Sequence, residues 1–127
     1  MPVLVVDDDA GIREVIKDAL AESGYEVFIA RNGQEAVALA RSRQPRVILM
    51  DLMMPVMDGA EAIRILKDDP ETARIRIVAM SAGMNLQQQT GRLLLADGLL
   101  GKPFDLEVLL AQVDLRTQQF LRTEGSP

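Results

Sequence analysis

Short apolar runs alternate along the chain with stretches of helical period. Val3–Val6, Val47–Met50 and Ile77–Met80 are continuous rather than alternating in polarity. Continuous runs of that length predict strands covered on both faces, as in a parallel sheet. Glu26–Ala30 reads as a weaker strand and Leu99–Gly101 as a short one. Between them, Ile12, Val15, Ile16, Ala19 and Leu20 keep i, i+3, i+4 spacing and Gly24 closes that helix. Ala36, Leu39 and Ala40 mark a second helix, stopped before Pro45, and Ala62, Ile63 and Leu66 a third, stopped near Pro70. Leu86, Leu93 and Leu94 suggest a fourth. Leu106, Leu109, Leu110 and Val113 mark a fifth, opened by Asp105 as its N-cap. Strict alternation of strand and helix predicts an α/β domain, a doubly wound parallel sheet with right-handed crossovers.

Composition narrows the chemistry. A length of 127 residues, 48% hydrophobic and 26% charged, suits one globular domain. The chain has no Cys, which removes disulfides and thiol nucleophiles and fits a cytoplasmic protein. It has no His, so the commonest general base and transition-metal ligand are missing too. Chemistry must rest on carboxylates, Lys and hydroxyls, and oxygen ligands select hard cations. A net charge of −5 and 3% aromatics argue against nucleic-acid binding. The stretch Val47 to Met57 is broken by Asp51 and Pro55 and is too short to cross a membrane. The start of the chain shows no basic flank of a signal peptide.

Polar residues fall where such a sheet would bind a ligand, at the carboxyl ends of the strands. The first strand runs into Asp7-Asp8-Asp9, the third into Asp51, the fourth into Ser81 and the fifth into Lys102-Pro103. Two like charges about 4 Å apart repel by roughly 4 kcal/mol at an effective dielectric near 20, so a carboxylate cluster needs a cation. Magnesium suits such oxygens, and Lys102 adds a further charge. A site of this kind can stabilise a phosphoryl group in transfer, which depends on positioning and charge neutralisation. Taken singly, Asp7–Asp9 could be a solvated turn, with Asp9 capping the first helix, and Ser81 or Lys102 an ordinary surface group. Asp51 is different, because a carboxylate directly after four apolar residues is seldom passive. Met53, Met54 and Met57 read as packing residues, Asp58-Gly59 as a turn, and Lys67-Asp68-Asp69 as a solvated helix end.

The blocks Val5-Val6-Asp7-Asp8-Asp9, Asp51-Leu52-Met53-Met54-Pro55-Val56-Met57-Asp58-Gly59, Met80-Ser81-Ala82 and Lys102-Pro103-Phe104 together resemble the receiver domains of two-component response regulators. The resemblance covers residues 2–121, leaving 122–127 as a tail, with Thr123 to Pro127 read as frayed. It implies a flavodoxin-like sheet of five parallel strands in the order 2-1-3-4-5 with five helices. It implies Asp51 as phosphoacceptor. Asp8, Asp51 and the backbone carbonyl of Met53 would hold Mg2+ (or Mn2+), with Asp7 acting mostly through a bound water. Ser81 would bond the phosphoryl oxygens, and Lys102 would pair first with Asp51 and then with phosphate. The Lys102–Pro103 peptide would be cis, holding the amine in place. Such a domain is a switch rather than a turnover enzyme. Its partners would be a sensor histidine kinase or histidine phosphotransfer protein and a downstream protein target, with no nucleic acid or membrane. Leu99 stands where most members carry Tyr or Phe, and Leu95 where Gly is usual. Val108, Ala111 and Leu115 form a second apolar row on the fifth helix, so the fourth helix, fifth strand and fifth helix form a candidate output or homodimer face.

Two other functions compete. Asp7-Asp8-Asp9 after an apolar strand also resembles magnesium-dependent phosphatases of the haloacid dehalogenase type, but Gly11 stands where their Thr belongs and Asp51 has no role there. A receiver that no longer takes phosphate would keep the fold as a pure interaction module. A dinucleotide-binding domain is excluded, since no G-x-G-x-x-G follows the first strand and no P-loop occurs.

Overall fold

The computed structural model describes residues 2–54, 56–82 and 96–125. Five strands, β1 (Pro2–Val6), β2 (Glu26–Ala30), β3 (Val47–Asp51), β4 (Arg76–Ala82) and β5 (Gly98–Lys102), form one sheet in the order β2-β1-β3-β4-β5. Every pairing is parallel. Four helices lie among the described residues: α1 (Ala10–Glu22), α2 (Gly33–Arg43), α3 (Gly59–Asp68) and α4 (Leu106–Gly125). The helix expected around Leu86, Leu93 and Leu94 lies outside the described residues, as does Leu95.

The apolar runs are continuous because alternate residues feed two cores. Leu4, Val6, Ile48, Met50, Ile77 and Ala79 pack toward α2 and α3 with Ala36, Ile63 and Leu66. Val3, Val5, Val47, Leu49, Val78 and Met80 pack toward α1 and α4 with Ile16, Leu20, Leu109 and Val113. Each helix entry is set locally. Asp9, Asn32 and Asp58 accept hydrogen bonds from the backbone N–H of Ile12, Glu35 and Glu61 respectively, satisfying donors that a helix start leaves open. Asp105 opens α4 by accepting from Leu109 N with its backbone carbonyl.

Several expectations need correction. Leu106 is 38% exposed rather than in the core, and the buried row of α4 is Leu109, Val113, Thr117 and Phe120. Val15 is 53% exposed, although it fits the helical period of α1. Both line an open groove between α1 and the β5–α4 loop. Met53 is exposed, while Met54 and Met57 pack against the α2–α3 core. The helix α4 continues through Gly125, into the stretch expected to fray. Lys67 is not a solvated helix end: its ammonium donates to the carbonyls of Ala73 and Ile75 and to Asp97. Asp97 also accepts from Arg76 and from Ile77 N, which ties the start of β5 to β4. Burial alone would push Asp97 up, but the Ile77 N–H and the Lys67 ammonium outweigh it and hold its carboxyl below the usual range.

Candidate functional site

The register of the sheet brings the expected polar groups to one rim. Asp51 at the end of β3 is level with Met80, and Ser81 follows on β4, paired with Gly101. Lys102 closes β5, level with Ala82. Asp7 follows β1 directly and is completely buried, Asp51 is 4% exposed, and Asp8 faces solvent. One carboxylate oxygen from each of Asp7, Asp8 and Asp51 lies within 4.8 Å of the others. The approach is close on the far side too. A Cβ on Gly59 would fall 2.3 Å from the Asp51 carbonyl oxygen, so the first turn of α3 can lie against the end of β3 only with glycine there.

Asp7 is fully engaged. One oxygen accepts from Asp9 N at 2.9 Å and the other from Lys102 Nζ at 2.8 Å. Lys102 also pairs with Asp51, the partner the resemblance implies, at 3.6 Å, but its closer partner is Asp7. The fully buried Asp7 carboxylate has more need of a counter-charge, and that explains the preference. Burial acts against the Lys102 ammonium, but the Asp7 hydrogen bond and the charges of Asp51 and Asp7 prevail and hold its pKa above the usual value. Asp51 accepts from Met53 N at 3.2 Å. Burial foremost, then the Asp7 charge, pushes its carboxyl up to about 6, against the opposing pull of Met53 N and Lys102. The Lys102–Pro103 peptide is cis.

The donor set fits a hard divalent cation. Three carboxylates converge, and the chain has no Cys or His to offer a softer ligand. Beside them the Ser81 hydroxyl is buried without a hydrogen-bond partner among the described residues. Buried polar groups are rarely left so, and an acceptor arriving over Asp51 would satisfy it. A groove of about 700 Å³ opens next to Lys102, lined by Ile12, Val15, Ile16, Phe104 and Leu106. Leu99, level with Ala79 and so on the α2–α3 side of the sheet, is exposed. Sequence reasoning missed Arg13, whose guanidinium donates to the Asp7 carbonyl at 2.8 Å. Its signal was faint: one basic residue a turn into a helix.

Comparison with known proteins agrees with this arrangement. The family model of the response regulator receiver domain matches residues 3–114. Response regulator MprA of Mycolicibacterium vanbaalenii is 38% identical over 115 residues, which are 89% of this chain and 49% of that protein. The chain thus spans about half the length of the curated relatives it matches. The signal receiver domain of a signal transduction histidine kinase from Syntrophus aciditrophicus superposes with a TM-score of 0.88 at 31% identity, covering 99% of this chain and 96% of that one. Chemotaxis protein CheY4 of Vibrio cholerae gives 0.81 at 34% identity, covering 90% and 96%. With its strand order, its acidic rim and a family match over most of its length, this chain belongs to the response regulator receiver domain family.

Proposed function

We propose that this chain is a phosphorylation switch that accepts a phosphoryl group on Asp51 in a reaction requiring Mg2+ or Mn2+. The observation that carries the reading is the Ser81 hydroxyl, buried and unpartnered among the described residues, beside a buried carboxylate that already faces Lys102. An Asp51 oxygen attacks phosphorus, the bond from phosphorus to the donor breaks, and the donor leaves with the bonding pair. Lys102 and Ser81 then hold the phosphoryl oxygens. Asp8, Asp51 and the Met53 carbonyl would hold the cation, with Asp7 behind them. When bound, the cation supplies two positive charges against the carboxylates and the transferring group. The work of the chain is to place these groups, and no turnover of a substrate follows.

The donor is a sensor histidine kinase or a histidine phosphotransfer protein. The apolar groove between α1 and the β5–α4 loop lies beside Lys102 and offers that protein a surface next to the reacting carboxylate. No helix among the described residues is long and apolar enough to cross a membrane, and we assign the domain to the cytoplasm, where such donors act. Leu99, Val108 and Leu115 are exposed, and we assign them to the output surface, where a second copy or a downstream protein docks. The phosphatase reading finds less support, because it leaves the buried Asp51 carboxylate at the centre of the rim without a role.

The test is intact mass after incubation with acetyl phosphate, with magnesium or with EDTA. One labile phosphoryl group per chain with magnesium and none with EDTA is the expected result. No label under either condition rejects the switch, and many equivalents of acetyl phosphate consumed per labelled chain favour a hydrolase.

A further inference from the structure

We propose that Arg13 is a positioning residue for the cation ligands, holding the peptide between Asp7 and Asp8 so that the Asp8 carboxylate faces Asp51. The inference rests on the reading of this carboxylate cluster as a divalent-cation site. Arg13 lies in the first turns of α1, half-buried, and its guanidinium donates to the Asp7 carbonyl oxygen at 2.8 Å. Among the described residues it forms no ion pair, although Asp7, Asp8 and Asp9 are its near neighbours in sequence.

The placement matters because Asp8 has little else to hold it. Asp7 is fixed at every other polar atom: its N–H donates to Ala30 O at 3.2 Å, and its carboxylate is taken by Asp9 N and Lys102. The Asp8 side chain is exposed and makes no hydrogen bond with the described residues. The preceding peptide fixes where the Asp8 Cβ leaves the backbone, and so which rotamers bring its carboxylate to Asp51; the carbonyl of that peptide is the atom Arg13 grips. A guanidinium paired directly with Asp8 would occupy the oxygens a cation needs. On the carbonyl, the same charge eases the crowding of three carboxylates and leaves their oxygens free.

The two effects of Arg13 have opposite signs, which makes the inference testable. As a charge alone, Arg13 repels a cation, and removing it would tighten binding. As a positioning group, its removal weakens binding, since losing a residue that orients a metal ligand costs roughly 10- to 100-fold in affinity. The experiment is calorimetric titration of Mg2+ into the native chain, Arg13→Ala, Arg13→Gln, Arg13→Lys and Asp8→Ala, with the melting of each followed in EDTA. The expected result is about tenfold weaker binding in the Ala and Gln variants, partial rescue by Lys, and labelling by acetyl phosphate that recovers as magnesium is raised. Unchanged or tighter binding in Arg13→Ala and Arg13→Gln overturns the inference, as does a loss confined to variants already unfolded in EDTA. If the native chain itself binds no Mg2+, the cation reading falls and this inference with it. If native and Asp8→Ala differ while the Arg13 variants match native, only the inference falls.

Discussion

Replacing Asp51 by Asn should stabilise the cation-free protein at neutral pH. Asp51 is buried beside Asp7, and its carboxyl is pushed from 3.8 up to about 6. A raised carboxyl pKa means that the folded chain holds its proton where the unfolded chain has released it. Between about 3.8 and about 6 the native state therefore binds more protons, and its stability falls as pH rises through that window. Above it the whole penalty is present, with a ceiling of about 3 kcal/mol. Asn keeps an oxygen for Met53 N but is itself a polar group to be buried, so about 1 to 2 kcal/mol of that ceiling should be recovered. For a domain of this size that is about 4 to 8 °C in Tm. The assay is thermal unfolding by circular dichroism in EDTA at pH 7.5 and near pH 4. Asp51→Asn should melt higher at pH 7.5, and the gap should close toward pH 4. Added magnesium should narrow the gap at pH 7.5, because ligand binding stabilises the native chain more than one lacking a ligand oxygen. A variant that melts at or below native at pH 7.5 in EDTA would refute the reasoning.

Removing Asp8 should weaken magnesium strongly while leaving the fold intact, because its carboxylate is exposed and caps nothing; calorimetry that finds equal affinity in Asp8→Ala rejects the ligand set. Val56 sits at φ 71° with 79% of its surface exposed, a conformation that costs a β-branched residue about 1–2 kcal/mol. Val56→Gly should therefore stabilise by about 1 kcal/mol after the entropy of glycine is counted, read as a higher denaturant midpoint with unchanged slope; a lower midpoint contradicts this. Val108→Glu/Leu115→Glu should leave acetyl phosphate labelling intact and abolish any beryllofluoride-induced association seen by sedimentation. A native chain that stays monomeric in both states, together with a double variant that binds the downstream partner equally well, removes the output-face proposal.

The parts of this molecule legible in its sequence are those set by short-range rules. Val3–Val6 and Val47–Met50 announce strands covered on both faces because both of their faces do reach a core. Asp51, Ser81 and Lys102 could be placed on one rim because a parallel sheet puts all strand ends together. What escaped depends on contacts distant in sequence. Leu106 and Val15 fit the helical period but line the groove between α1 and the β5–α4 loop, and periodicity carries no information about cover. Phe120 takes a core position at the far end of α4, with the Arg46 and Arg74 guanidinium groups 5.8 and 5.5 Å from its ring centroid. Its spacing from Leu109 and Val113 was readable, but nothing local says that a helix runs that far. The choice of Lys102 for Asp7 over Asp51, and of Lys67 for Asp97, follows from burial, which a linear pattern does not encode.

The measurement that reaches the central claim most directly is the location of the phosphoryl group. Native chain and Asp51→Asn are incubated with acetyl phosphate and magnesium, and labelled protein is digested and mapped by mass spectrometry, with a hydroxylamine-treated control. The account predicts one label, on the peptide containing Asp51, lost on hydroxylamine treatment and absent from the variant. A label of equal stoichiometry in Asp51→Asn, or one on a peptide without Asp51 in the native chain, would contradict it.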